Sequence, residues 1–496
     1  MRRTLASLAL LPLALALRVE AQFESPLLSK VQPNLVNPGG KSLAMGGAFV
    51  SLADDATAAF ANPAGLPQLS SWQLGASGKG FTFRPALSPA NYLETSPGSW
   101  ALQSYDSYQP TGGAQELEYA ALVVPLLGNL TLALYQAVNL RFSISADDLL
   151  GGSYRAFSMN RTAGSAGTID EAGGLEIRNR VWGASAGLRL GRFSLGAGVT
   201  LNQLSYDFTG PADGGAHLFV TNDPNGNRVD PLYPRVETRV TASTESGARV
   251  GWVVGARVEL YEAARLSVGA AYRRSPSYDV GYSVSATRTY DARKIAEFSC
   301  GVDDPSIPGS GASACGRFKV PDDWAVGVSG MPLANLLLSA ELQRVAYSDF
   351  DEGFVPLYVY CRVPSPAGCA AADRTVALGS AEDGWLPRVG AEWTFSVGSS
   401  ADLSLRAGYY REPAHGMTLE LYPDVDRDRR ADAGPPVEVS DPPFSDAFRT
   451  SFDGGEPDDH LSMGAGATLW RKLSIDIAVD VGRASKQVVL SAFLRL

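Results

Sequence analysis

The stretch Arg388-Val-Gly-Ala-Glu-Trp-Thr-Phe-Ser-Val397 alternates strictly in character. In an extended chain successive side chains point to opposite sides, so Val389, Ala391, Trp393, Phe395 and Val397 share one face. Arg388, Gly390, Glu392, Thr394 and Ser396 share the other. The segment that follows repeats the pattern, with Leu403, Leu405, Ala407 and Tyr409 opposing Ser404, Arg406, Gly408 and Tyr410. A later pair does the same: Leu461, Met463, Ala465, Ala467 and Leu469 against Ser462, Gly464, Gly466 and Thr468, then Leu473, Ile475, Ile477, Val479 and Val481 against Ser474, Asp476, Ala478 and Asp480. A soluble sandwich also alternates, but long uniform hairpins of this kind suit strands with one lipid face and one crowded polar face.

Tight connections fall near Leu127-Gly-Asn129, Gly191-Arg192, Tyr261 to Ala264, Met331 to Ala334, Gly398 to Ser400 and Trp470 to Lys472. Between them lie long stretches rich in Gly, Pro, Asp and Ser. Short turns alternating with long loops are the asymmetry of an outer-membrane barrel. Strands placed around these turns run near 72–84, 115–126, 129–145, 175–191, 193–209, 236–260, 264–288, 321–331, 335–348, 386–397, 401–412, 460–469, 473–483 and 486–496. The total is about fourteen, an even number as single-chain bacterial barrels require. Trp100 to Tyr108 is assigned to the first external loop, because counting it as a wall strand leaves an odd total.

Composition is consistent with an all-β transmembrane barrel over residues 72–496. The mean hydropathy of -0.04 resembles that of a soluble protein, but alternation hides lipid-facing residues from any averaged window. A formal charge of -10 and a pI near 5.0 argue against a nucleic-acid partner, which needs basic patches. Arg2 and Arg3 precede an apolar stretch from Leu5 to Leu17, and Val19-Glu-Ala21 supplies a small-residue cleavage site, so residues 1–21 read as a signal peptide. That stretch is shorter than the ~20 residues of a spanning helix.

Between leader and strands lies Asn37-Pro-Gly-Gly-Lys-Ser-Leu-Ala-Met-Gly-Gly-Ala-Phe-Val-Ser-Leu-Ala-Asp-Asp-Ala-Thr-Ala-Ala-Phe-Ala-Asn-Pro-Ala-Gly-Leu66. Asp54 and Asp55 are expected to cap a short helix through Ala56 to Phe60. Asn62 is expected to end it in the left-handed conformation, and Pro63, followed by Ala64, cannot continue it. Gly46, Gly47 and Ala48 lack bulk, which lets their backbone press against a surrounding wall. The run resembles the N-terminal hatch of the FadL/TodX family, outer-membrane channels for long-chain fatty acids and other hydrophobic molecules. Val320-Pro-Asp-Asp-Trp-Ala-Val-Gly-Val-Ser-Gly330, Tyr347-Ser-Asp-Phe350 and Pro387-Arg-Val-Gly-Ala-Glu-Trp393 resemble later hairpins of the same family. The resemblance implies a fourteen-stranded barrel plugged by residues 22–71, with Gly46, Gly47, Asn62, Pro63 and Ala64 as the gating motif. It also implies passive uptake, with capture by external loops, an apolar pocket, a shift of the hatch and lateral exit through the wall. Such barrels often end on an aromatic residue, whereas this sequence ends Phe493-Leu-Arg-Leu496.

Cys300 and Cys315 share one expected external loop, and Cys361 and Cys369 share another. Four cysteines allow three pairings, and segregation by loop in an oxidising compartment favours Cys300–Cys315 and Cys361–Cys369. Neither spacing suits a structural zinc site. Asp424-Val-Asp-Arg-Asp428 lacks the glycine and closing Glu of a calcium loop and reads as a solvated acidic segment. Asp458-Asp-His460 is the one acid/base cluster, and a catalytic role for it has little support. The expectation is a monomeric, non-enzymatic transporter without cofactor or metal in the bacterial outer membrane, binding a fatty acid or hydrocarbon and lipid. A FadL-like scaffold or secretion accessory that binds a protein partner is the alternative.

Overall fold

The computed structural model describes residues 36–83, 90–96, 99–105, 112–146, 152–157, 164–169, 173–209, 214–219, 236–245, 247–288, 294–299, 316–351, 358–361, 374–414, 418–423 and 456–496. Fourteen antiparallel strands close into a barrel. They are β1 (Gln73–Phe83), β2 (Gly112–Leu127), β3 (Leu130–Ala146), β4 (Gly173–Leu190), β5 (Phe193–Thr209), β6 (Arg249–Tyr261) and β7 (Leu266–Arg274), then β8 (Asp323–Leu333), β9 (Leu336–Val345), β10 (Gly384–Val397), β11 (Ala401–Glu412), β12 (Asp458–Leu469), β13 (Leu473–Val481) and β14 (Ser485–Arg495). Each pairs with the next, and β14 returns to β1 in a register running from Gln73↔Arg495 to Phe83↔Ser485. The tight turns lie where the sequence placed them, between β2 and β3, β4 and β5, β6 and β7, β8 and β9, β10 and β11, and β12 and β13.

Two expected strands are interrupted. The span 236–260 divides into Val236–Glu245 and β6, and 264–288 divides into β7 and Ser277–Arg288. Pro276 sits at the second break, where it has no N–H to offer the ladder. The detached pieces, with Lys294–Ser299 and Gly316–Lys319, extend the wall beyond this sector. Ser99–Tyr105 is a strand, but it pairs with Ala90–Ser96 in a separate five-stranded sheet and not in the wall. Cys300, Cys315 and Cys369 lie outside the described residues, as do residues 1–35 and Asp424 to Asp428; Cys361 ends the short strand Tyr358–Cys361.

The faces are inverted relative to a water-soluble protein. Val389, Trp393 and Phe395 are exposed outward, as are Leu405, Leu461, Met463, Ile477 and Val479, while Arg388, Ser462, Asp476 and Asp480 are buried. An apolar exterior on a closed antiparallel sheet is the architecture of a membrane-spanning barrel, in which every wall N–H and C=O finds a partner without water. Among the described residues no helix is long and apolar enough to cross a membrane.

Residues 36–69 lie within the barrel and are almost wholly buried. They form α1 (Gly40–Ala44), α2 (Ala58–Ala61) and a 3-10 turn, Pro63–Gln68. Met45, Phe49, Phe60 and Leu66 pack with Tyr119, Val123, Tyr135, Val181 and Phe493 from the wall. The backbone approaches the strands very closely. A Cβ at Gly408 would sit 2.1 Å from the Gly46 nitrogen and 2.4 Å from the Met45 carbonyl carbon, and neither atom can rotate away. Gly408→Val is therefore expected to displace residues 45–47 and to cost about 3 kcal/mol. The temperature at which the folded, fast-migrating gel form is lost should fall, whereas Gly128→Ala, with no atom within 4 Å of its new Cβ, should leave it unchanged.

Candidate functional site

A polypeptide lodged in a barrel cannot use the wall's ladder, so its own backbone groups need other partners. The wall supplies them through side chains. Glu341 accepts the N–H groups of Phe49 at 2.8 Å and Val50 at 2.7 Å. Ser339 donates to the Ala48 carbonyl at 2.8 Å, Ser185 to that of Ala59 at 2.8 Å and Tyr119 to that of Ala56 at 2.8 Å. Arg257 donates to the Ser51 carbonyl at 2.9 Å, and Arg273 to that of Phe60 at 2.9 Å while its guanidinium lies 3.9 Å from the Phe60 ring. Gly40 donates to Ser491 at 3.1 Å. These partners come from β2, β4, β6, β7, β9 and β14, so the segment is held around the circumference.

Gly46 and Gly47 adopt left-handed backbone, with φ of 66° and 76°, between β10 and β11. Asn62 departs from the sequence expectation. It is extended, with φ -154° and ψ 100°, because the residue before a proline is driven away from helical conformations. Its side chain does the work instead: Oδ1 accepts from the Ala64 N–H at 3.1 Å, and Nδ2 donates to the Val50 carbonyl at 2.7 Å and to that of Ala256 at 3.3 Å. Pro63 then opens the 3-10 turn. The two aspartates also differ from simple helix caps. Thr57 occupies the cap of α2 without a side-chain bond to the helix backbone, Asp55 accepts from the Thr57 N–H and hydroxyl, and Asp54 pairs with Lys41 at 2.8 Å. Burial raises the Asp54 carboxyl, but the Lys41 ammonium outweighs it and holds the group below its ordinary range. Burial, together with the Asp54 charge, pushes Asp55 up to about 6.

Beyond this segment the wall is irregular. The β2–β3 register runs from Leu127↔Leu130 to Tyr119↔Ala137 and stops, so 112–118 and 138–146, all described, do not pair with each other. A bulge lies at each side of the stop: Glu118 is the extra residue of β2 against β1, and Asn139 that of β3 against β4. A bulge sets two residues against one and bends its strand, and here the two strands part. The second bulge also reverses the facing of β3, so that Leu140 and Phe142 enter the lumen beside Ile177 and Leu204. All four are buried, and Tyr278, at the start of the strand Ser277–Arg288, donates to Asn179 at 3.2 Å. An apolar lumen surface thus adjoins a slot in the wall.

A closed barrel of fourteen strands, filled by the segment that precedes its first strand, is a specific arrangement. The chain has the FadL-type barrel fold. It aligns with the crystal structure of a Pseudomonas aeruginosa FadL homologue at a TM-score of 0.56 and 16% identity, over 94% of this chain and 99% of that one. The Ralstonia pickettii toluene transporter TbuX gives 0.49 at 14% identity over 93% and 99%. The Pseudomonas putida toluene transporter TodX gives 0.46 at 13% identity over 93% and 97%. No family model matches the sequence, and no curated protein matches it.

Within this FadL-type fold His460 is buried, its Nδ1 2.8 Å from Asp480 and its ring stacked 4.3 Å from that of Tyr410. Its Nε2 makes no hydrogen bond among the described residues. Asp458 and Glu412 lie 3.5 Å and 3.7 Å from that nitrogen, so the imidazole sits among three carboxylates and ties β11, β12 and β13 together. Sequence reading missed Leu140, Phe142 and the two bulges, although the slip of alternation from Ala133, Tyr135 and Ala137 to Leu140 and Phe142 carries the signal. Asp55 gives a pH test. Its raised value means that it stabilises docking fully below about 4, the unfolded value, and that this contribution is lost as pH rises through about 6. Proteolytic resistance of residues 36–69 should fall between these pH values, and Asp55→Asn should flatten that change.

Proposed function

We propose that this protein carries hydrophobic small molecules passively across the bacterial outer membrane, with the segment 22–71 serving as a hatch. The apolar surface of Leu140, Phe142, Ile177 and Leu204 beside the unpaired edges of β2 and β3 carries this reading. A lipid-soluble molecule that reaches it from the loop side leaves sideways into the membrane, avoiding the aqueous compartment beyond. The fold shared with a FadL homologue supports a transport reading, as does the resemblance of residues 37–66. Gly46, Gly47, Asn62, Pro63 and Ala64 are the hatch residues whose contacts with the wall must change for passage. Passage down a gradient requires neither cofactor nor catalysis.

Two measurements test the reading. Extraction of the purified protein should release a fatty acid or hydrocarbon in stoichiometric amount. Asn62→Leu removes the bonds to Val50, Ala64 and Ala256 and should cost about 3 kcal/mol of hatch docking. The variant should insert normally yet take up a labelled fatty acid or alkane at an altered rate. Equal uptake at matched surface level removes the hatch residues from gating. A parent that imports no such molecule and releases none would turn the reading toward a scaffold for a protein partner.

A further inference from the structure

Glu116 and Arg178 belong to opposite faces of the wall. Glu116 shares register with the buried Lys79 and lies on the lumen face of β2. On β4, Ile177 and Asn179 are buried toward the lumen, which puts Arg178 on the outer face. Yet Arg178 Nη2 lies 3.0 Å from Glu116 Oε2. In an intact sheet the strand between them, β3, would separate these groups; the pair meets because β2 and β3 are unpaired above Tyr119↔Ala137. It runs through the slot.

The contact is ionic and poorly aligned. Glu116 Oε2 and the Nε atoms of Arg178 and the adjacent Arg141 are buried, and none makes a hydrogen bond among the described residues. Arg141, also on the outer face, pairs with Glu176 on β4. Separating two charges that water reaches poorly is costly, so the pair holds the slot shut at rest. Its unmet hydrogen-bonding capacity lowers the cost of exchanging partners, because an open pair can satisfy those atoms elsewhere. A bar of this kind serves a passage better than a backbone ladder, which would have to break several bonds together.

We propose that the Glu116–Arg178 pair is a latch across the β2–β3 slot and sets the rate of lateral passage. The inference rests on the transport reading above and adds to it the residues that govern the exit. Neutralising both partners, Glu116→Gln with Arg178→Gln, avoids leaving a lone buried charge. That variant should take up n-hexadecane about tenfold faster than the parent at matched surface level, equivalent to about 1.4 kcal/mol in the barrier. Amides of residues 138–143 should exchange with deuterium about tenfold faster. The reversed pair, Glu116→Arg with Arg178→Glu, should return both rates to within about twofold of the parent. Unchanged exchange in the doubly neutral variant overturns the latch, whatever the uptake. If the parent itself takes up no hexadecane, the transport reading falls while the exchange measurement still decides the latch. A reversed pair that stays fast in exchange also overturns it.

Discussion

Lipid offers no hydrogen bonds, and the whole structure follows from that one deprivation. Each backbone group crossing the apolar layer has to be satisfied by another strand, so the sheet must return to its own first strand, as β14 does along all of β1. Closure creates an interior lined by the polar faces of the strands, which either water or a further segment of chain can fill. The polar face of each strand supplies it with Glu341, Arg273, Ser185, Ser339 and Tyr119, and these groups find their acceptors and donors in the segment 36–69. The segment has so little regular structure because the wall takes over the role that a ladder or a long helix would play.

The sequence made the wall legible because its code is simple. Alternation at Val389 to Val397 and again at Leu461 to Leu469 fixes both facing and spacing, and short turns such as Gly191-Arg192 set the strand ends. The inner segment was legible as a motif but not in its detail. Asn62 was assigned to a left-handed helix end from its own preference, while the neighbouring Pro63 decided the matter through sterics. Asp54 and Asp55 read as caps, yet Lys41, thirteen positions away in the chain, claims the first. Such long-range partners leave no local mark.

The bulges show a different kind of gap. Glu118 and Asn139 look unexceptional in the sequence, and only the registers of their strands against β1 and β4 mark them as bulges. A single extra residue in each strand accompanies the end of the β2–β3 ladder, and the one in β3 turns Leu140 and Phe142 inward without any change of composition.

The tether between Leu69 and Gln73 has a consequence for biogenesis. The segment 36–69 contacts both ends of the strand series, Tyr119 on β2 and Ser491 on β14, and its own chain leads directly into β1. Once the seam between the first and last strands has zipped, the enclosed segment is surrounded by a complete hydrogen-bonded ring. A segment already seated on the early strands when that seam zips needs no later threading into the ring, so the topology favours docking before closure.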